Sequence, residues 1–444
     1  MISKHVFARH SRADLPMVAS GDGPWLIDTQ GHRYLDASGG AAVSCLGHTA
    51  TPVINAVKTQ LDAIAYAHTG FFTSEPAEAL AEALATRAPE GIERVYFVSG
   101  GSEAVESALK LARQYYLEIG QPERVNIIAR RQSYHGNTLG ALSTGGNDWR
   151  RQPFTALLSP AMHHIDPCHY YRYAEPGETP EAYAVRSANA LEAKIQQLGP
   201  ETVAAFVAEP VVGATMGAVS AEPGYFQRIR EICDQYGVLL ILDEVMCGMG
   251  RTGSLFACDQ EPVRPDILCI AKGLGAGIQP IGAMLCHENI HDAIAQGSGF
   301  FQHGHTYIGH PCACAAGLAV LHTLEDQALL ANVNAMGKAL DKALRERFSN
   351  HPNVGDIRGR GLFRGLELVA DKNDKSPLAP ARGMAGKIKA AAMREGLMCY
   401  PMDGTIDGKS GDHILLAPPF IIDDTHVELI VERLGKALDL TLDA

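Results

Sequence analysis

Between residues 95 and 271 the chain alternates apolar runs of strand length with segments of helical periodicity, and this alternation limits the possible folds more than any other feature. The runs lie at 95–98, 125–129, 203–208, 238–242 and 266–271. After the first of them, Val105, Ala108, Leu109 and Ala112 fall at i, i+3, i+4 and i+7 and make one apolar helix face, with Glu103, Glu106 and Lys110 off the stripe. The pattern predicts an α/β architecture. Toward the N-terminus, 27–36 reads as two short strands joined by a turn at Gln30-Gly31, a hairpin unit outside the main sheet. Toward the other end, 359–368 followed by the alanine-rich 380s and 390s reads as a second, smaller α/β unit. No internal repeat or low-complexity tract interrupts the chain.

The 444 residues, 46% hydrophobic and 20% charged, are enough for more than one domain with a core of ordinary size. Lys and Arg number 38 against 50 Asp and Glu, and the net charge of −12 works against binding to nucleic acid or to an anionic membrane. The ten cysteines run from Cys45 to Cys399 without a CxxC pair, which indicates reduced thiols and neither a zinc ribbon nor a disulfide framework. The first ten residues carry no apolar targeting core, and no apolar stretch reaches membrane-spanning length, so the cytoplasm is the expected location.

Four of the runs end in residues suited to chemistry. Phe97-Val98-Ser99-Gly100-Gly101-Ser102-Glu103 reads as strand, glycine turn, hydroxyl and helix start, which turns backbone N–H groups and a helix dipole toward an anion. Taken alone, Ser102 reads equally as a helix N-cap. Glu209 closes the run at 203–208, Asp243 and Glu244 close the next, and Lys272 follows 266–271 and opens Gly273-Leu274-Gly275. Ligands of open α/β sheets collect at the carboxyl ends of strands, and a lysine gathered there with acids costs solvation unless it serves a ligand. The set suits pyridoxal phosphate: lysine as Schiff-base amine, aspartate as partner of the pyridinium nitrogen, and the released lysine as general base for a 1,3-proton transfer. Bringing such an amine from about 10.4 to about 7 corresponds to roughly 4.6 kcal/mol, within reach of desolvation and nearby positive charge.

The chain resembles the class III aminotransferases, or ω-aminotransferases, of the type I fold of pyridoxal phosphate enzymes. The likeness rests on Ser99-Gly100-Gly101-Ser102-Glu103-Ala104, Tyr134-His135-Gly136, Glu209-Pro210, Asp243-Glu244-Val245 with Gly250-Arg251-Thr252-Gly253, Lys272-Gly273 and Gly304-His305-Thr306-Tyr307, in the family's order and spacing. It implies a large domain with a mainly parallel central sheet over 55–325, and a small α/β domain from both chain ends, 1–54 and 326–444. It implies further that Lys272 carries the Schiff base, Asp243 pairs with the ring nitrogen, Tyr134 stacks on one face of the ring and Val245 packs on the other. Gly101 and Ser102 would bind the phosphate, with Glu209 and Glu244 placed near the cofactor more loosely. Thr306 would come from a neighbouring subunit, so a homodimer or higher homo-oligomer with composite sites is expected.

The substrate side is less sharply written. Amine:pyruvate members of the family often carry an arginine shortly before a Gly-Asp-His-Ile stretch; here 404–414 contains none, and Lys409 lacks the two-pronged geometry of a guanidinium. Ala41 and Ala42 stand where amine-converting relatives often have a bulky aromatic, which leaves room for a long or bulky amine, and Phe71 and Phe72 are candidate walls of that space. Arg150 and Arg151 are either partners for anions or surface arginines. His303, His305 and His310 with Cys312 and Cys314 lack metal-site spacing, so no metal is expected, and Met162-His163-His164 with Cys168-His169 reads as a loop. The expected function is transfer of an amino group from a primary amine or ω-amino acid to a small 2-oxo acid, pyruvate, by a ping-pong cycle. An aminomutase, racemase or decarboxylase on the same scaffold is the alternative, and a non-catalytic cofactor-binding protein the remote one.

Overall fold

In the computed structural model, which describes residues 5–10 and 13–442, the apolar runs of the middle of the chain assemble into one seven-stranded sheet. From edge to edge it runs Ile92–Val98, Gly282–His287, Ile267–Ile270, Leu239–Asp243, Val203–Ala208, Asn126–Arg130 and Met162–Ile165. The last five of these are mutually parallel, and Gly282–His287 is antiparallel to both of its neighbours. Met162–Ile165 corrects the loop reading of that segment. Its histidines are half-buried on an edge strand, where His163 Nε2 meets Asn126 Oδ1 at 3.0 Å.

Strand side chains divide between the two faces with period two. Phe206 and Ala208 with Leu240 and Leu242 pack one face against the buried sides of helices Pro180–Leu198 and Tyr225–Tyr236. Ala205, Val207 and Ile241 pack the other, against Val105, Ala108, Leu109 and Ala112 of helix Gly101–Glu118, the stripe read from the sequence. Burying each larger apolar side chain contributes about 1.5–3 kcal/mol, so a sheet covered on both sides is strongly fixed in register.

The two chain ends build two four-stranded sheets. Val18–Asp22, Trp25–Asp28 and Arg33–Asp36 form an antiparallel meander, and Arg33–Asp36 also pairs in parallel with Leu397–Met398. Its turn is drawn by Asp28 Oδ1, which accepts from the backbone N–H of Gln30 at 2.8 Å and of His32 at 2.9 Å, and by Gly31 at φ +85°. Val354–Arg360, Phe363–Leu368, Asp412–Leu416 and Tyr400–Asp403 make an antiparallel sheet whose core is shared with helices Leu329–Phe348, Met384–Arg394 and Asp424–Leu442. All ten cysteines are buried free thiols. Among the described residues no helix is long and apolar enough to cross a membrane.

Candidate active site

Parallel strands expose their carboxyl ends along one edge of a sheet, and here that edge opens into a cavity of about 510 Å³. Asp243 ends its strand, Glu209 follows Val203–Ala208 by one residue, and Lys272 follows Ile267–Ile270 by two. All three line the cavity, together with Gly100, Gly101 and Ser102 at the start of helix Gly101–Glu118.

Lys272 has φ +44°, a left-handed conformation rare outside glycine and costing about 1–3 kcal/mol. That turn ends the strand and sends the half-buried side chain to the cavity. Burial lowers the lysine's pKa from its usual value, while Asp243 and Glu209 pull it partway back. Asp243 is 3% exposed and held on both oxygens: Oδ1 accepts from the Val245 N–H at 3.0 Å, and Oδ2 lies 2.7 Å from His135 Nδ1. A carboxylate only accepts, so Nδ1 carries the proton. His135 Nε2 is buried without a hydrogen-bond partner among the described residues.

Glu209 is buried and accepts from the N–H of Tyr134 at 3.1 Å and of Gly213 at 2.9 Å. Burial raises its pKa and Asp243 nearby raises it further, against the opposing pull of His135 and those two N–H groups. Through Tyr134 N, this glutamate fixes the backbone that carries the Tyr134 ring. Tyr134 itself lines the cavity, with the Arg150 guanidinium 4.6 Å from its ring centre.

The glycine turn is a close-approach site. A Cβ on Gly101 would fall 2.5 Å from Val245 Cγ1, and one on Gly136 would fall 2.7 Å from Ser102 Oγ. Only hydrogen at these positions lets the helix start, Val245 and the 134–136 segment converge. Ser102 Oγ accepts from the Asn137 N–H at 3.0 Å. The residues present therefore fit pyridoxal phosphate: an amine of lowered pKa, a buried carboxylate, an aromatic ring, and N–H groups of an eighteen-residue helix for the phosphate.

Several expected residues lie elsewhere. Glu244 does not line the cavity; its oxygens accept from Ala257 N and Cys258 N at 2.5 and 2.7 Å, and its role is to hold that turn. Ala41 and Val43, rather than Ala42, face the cavity, and Ala42 is buried against Val211 and Met246 with φ +62°. Phe71 and Phe72 are 81% and 69% exposed and lie outside the cavity of their own chain. Thr306 is also exposed and outside it, its carbonyl accepting from the Tyr66 hydroxyl at 2.9 Å. Lys409 is exposed and absent from the cavity wall. His303 meets Ser107 Oγ at 2.9 Å, and among the described residues no group of three or more His, Cys, Asp or Glu is gathered as for a metal.

Comparison with known proteins gives this geometry a family. The sequence model of aminotransferase class III matches residues 6–438. The chain belongs to the class III aminotransferases. An uncharacterized aminotransferase of Schizosaccharomyces pombe is 47% identical over 433 residues, covering 97% of this chain and 94% of that one. A chloroplastic gamma aminobutyrate transaminase of Solanum lycopersicum is 34% identical, covering 99% and 83%. Among solved structures, an (S)-enantioselective omega-transaminase from Thermomicrobium roseum superposes with a TM-score of 0.91 at 37% identity, covering 98% and 94%. A PLP-bound amine transaminase from an uncultivated Pseudomonas species gives 0.91 at 38%, covering 99% and 98%. This class III aminotransferase thus has the type I fold, and its cofactor is pyridoxal phosphate. One residue at its site escaped the sequence reading: His135 was quoted only as part of a motif, and the signal was a titratable residue next to Tyr134. Of the two arginines read as either partners for anions or surface residues, Arg150 lines the cavity and Arg151 does not.

Proposed function

We propose that this aminotransferase moves an amino group from a primary amine or ω-amino acid to a small 2-oxo acid, pyruvate, in two half-reactions of a ping-pong cycle. The observation that carries the reading is the convergence of Lys272, its pKa lowered by burial, with Asp243, His135 and the glycine-led helix start on one cavity.

Bound there, pyridoxal phosphate supplies a sink for the electrons of the C–H bond that breaks. Lys272 Nζ takes the proton from the donor carbon and returns it one position over, a task suited to an amine that desolvation keeps partly neutral. Asp243, its carboxylate fixed by the His135 Nδ1–H, would keep the proton on the ring nitrogen. Gly101 and Ser102 would hold its phosphate by N–H and hydroxyl, Tyr134 and Val245 would flank its ring, and Glu209 keeps Tyr134 in place. Ala41 and Val43 give the donor side an apolar wall with space for a long or bulky group.

The same reading places the protein in the cytoplasm as a homodimer or higher homo-oligomer, in which Thr306, Phe71 and Phe72 serve the neighbouring subunit's site. Their exposure supports this, as does the adjacency of their segments: Tyr66 and Tyr307 lie 5.8 Å apart edge to face, and both are exposed. It also takes 1–54 and 326–444 as one small domain around 55–325, supported by the pairing of Arg33–Asp36 with Leu397–Met398.

The test is the visible spectrum of the cofactor-loaded protein through addition of a panel of amines and ω-amino acids, then pyruvate. Loss of the cofactor's band with a donor, and its return with pyruvate, is expected. A band that no donor changes, or turnover that never needs a 2-oxo acid, would point to a mutase instead.

A further inference from the structure

The transferred group needs an acid acceptor, and a 2-oxo acid is recognised chiefly through its carboxylate. Two guanidiniums line the cavity, those of Arg9 and Arg150. Arg9 is exposed on the N-terminal segment. Arg150 is half-buried, and three features set it apart.

Its charge is unspent. The other deeply placed arginines are taken up by protein acceptors: Arg130 by the Glu209 carbonyl, Arg251 by the carbonyls of Leu362 and Pro418, Arg358 by Asp356 and Glu367, and Arg364 by Asp341. Among the described residues no carboxylate pairs with Arg150, and its Nε is buried without a hydrogen-bond partner. A guanidinium that lines the cavity without a carboxylate partner is open to a ligand anion. Its position is fixed: it lies over the Tyr134 ring at 4.6 Å, and the Asn147 side chain accepts from its backbone N–H at 3.2 Å to start the short helix Asp148–Arg151. Asn147 Nδ2 in turn donates to Gln132 Oε1 at 2.8 Å, and Gln132 Nε2 to the Gly404 carbonyl at 2.8 Å. Finally, it acts on the reacting amine, since its positive charge is among the influences lowering the pKa of Lys272. Its neighbour Arg151 turns away, to His164 at 3.2 Å.

We propose that Arg150 is the residue that grips the substrate carboxylate, a role that rests on the transaminase reading above and assigns acid recognition to the 147–151 segment rather than to the 404–411 loop packed beside it. The loop's contribution is indirect. Gly408 backs onto Trp149, where a Cβ would stand 2.9 Å from the Trp149 N atom, so the loop packs directly against the segment that carries Arg150.

The experiment compares Arg150→Met and Arg150→Lys with the parent as cofactor-loaded enzymes, each half-reaction followed separately by the cofactor's absorbance. Arg150→Met is expected to raise the KM for pyruvate by about tenfold or more, with the KM for a carboxylate-free amine changed less than about threefold. Propionate, an unreactive carboxylate, should compete with pyruvate in the parent and lose that inhibition in Arg150→Met, with partial recovery in Arg150→Lys. Equal KM changes for acid and amine would mean that Arg150 merely supports Tyr134, and unchanged KM values would exclude it; either overturns the proposal. A pyruvate effect found in Arg9→Ala but not in Arg150→Met would do the same. Should Arg150→Met fail to fold by circular dichroism, Arg150→Lys and the propionate competition decide. If the parent shows neither half-reaction, the transaminase reading falls and this inference with it; if the parent shows both while Arg150→Met keeps its pyruvate KM, only this inference falls.

Discussion

Lys272 is the residue on which the proposed chemistry turns, and its backbone shows what holding it in place requires. A left-handed conformation at a lysine persists only where the surroundings enforce it, and here Gly273 packs so closely that a Cβ would meet Met249 Cβ at 2.9 Å. Replacing Lys272 by Ala should lower turnover at least about a thousandfold while the protein still retains cofactor noncovalently, as read from absorbance after gel filtration. Turnover near that of the parent would refute the role. Lys272 and Asp243 were legible in the sequence because each directly follows an apolar run and strand ends in such folds are where ligands gather. His135 was not legible as the partner of Asp243, because 108 positions separate them and only the sheet joins them.

At the scale of elements, helix Gly101–Glu118 joins sequence and site most directly. Its apolar stripe seats it on the sheet, and that seating aims its N-terminus at the cavity, where the dipole favours an anion. The same packing makes Gly101 irreplaceable, with Val245 as the obstacle. Gly101→Ala should weaken binding of pyridoxal phosphate to the apoenzyme by roughly tenfold, in keeping with the about 1–3 kcal/mol of an overpacked contact, and Val245→Ala in the same chain should recover part of it. Cofactor titration followed by absorbance decides this, and an unweakened Gly101→Ala variant would refute the close-packing argument. The strand Met162–Ile165 shows where element reading stops. An edge strand with polar side chains has the composition of a loop, and its backbone pairing with Asn126–Arg130 is invisible to periodicity.

For the molecule as a whole, the question is what ties the chain ends to the central sheet. Glu367, fully buried in the C-terminal sheet, receives Arg358 Nη1 at 2.6 Å from its own sheet and Arg172 Nε at 2.5 Å from the short helix Tyr170–Tyr173. Glu367→Gln leaves the Arg172 guanidinium without its counter-charge and Arg358 with Asp356 alone, and should cost about 3–5 kcal/mol in chemical denaturation. A loss below about 1 kcal/mol would mean that this cluster does not couple the two parts. The sequence by itself determined the fold class, the helix face that seats on the sheet and the identity of the cofactor, because periodicity and strand-end chemistry are local properties written within a dozen residues. Tertiary structure alone decided which residues share the cavity. It brought Arg150 onto Tyr134, set His135 beneath Asp243, turned Ala42 inward while its neighbours faced the cavity, and withdrew Glu244 to brace a turn. Those outcomes depend on the direction of a side chain and the distance between segments far apart in sequence, and packing fixes both only after the chain has closed on itself.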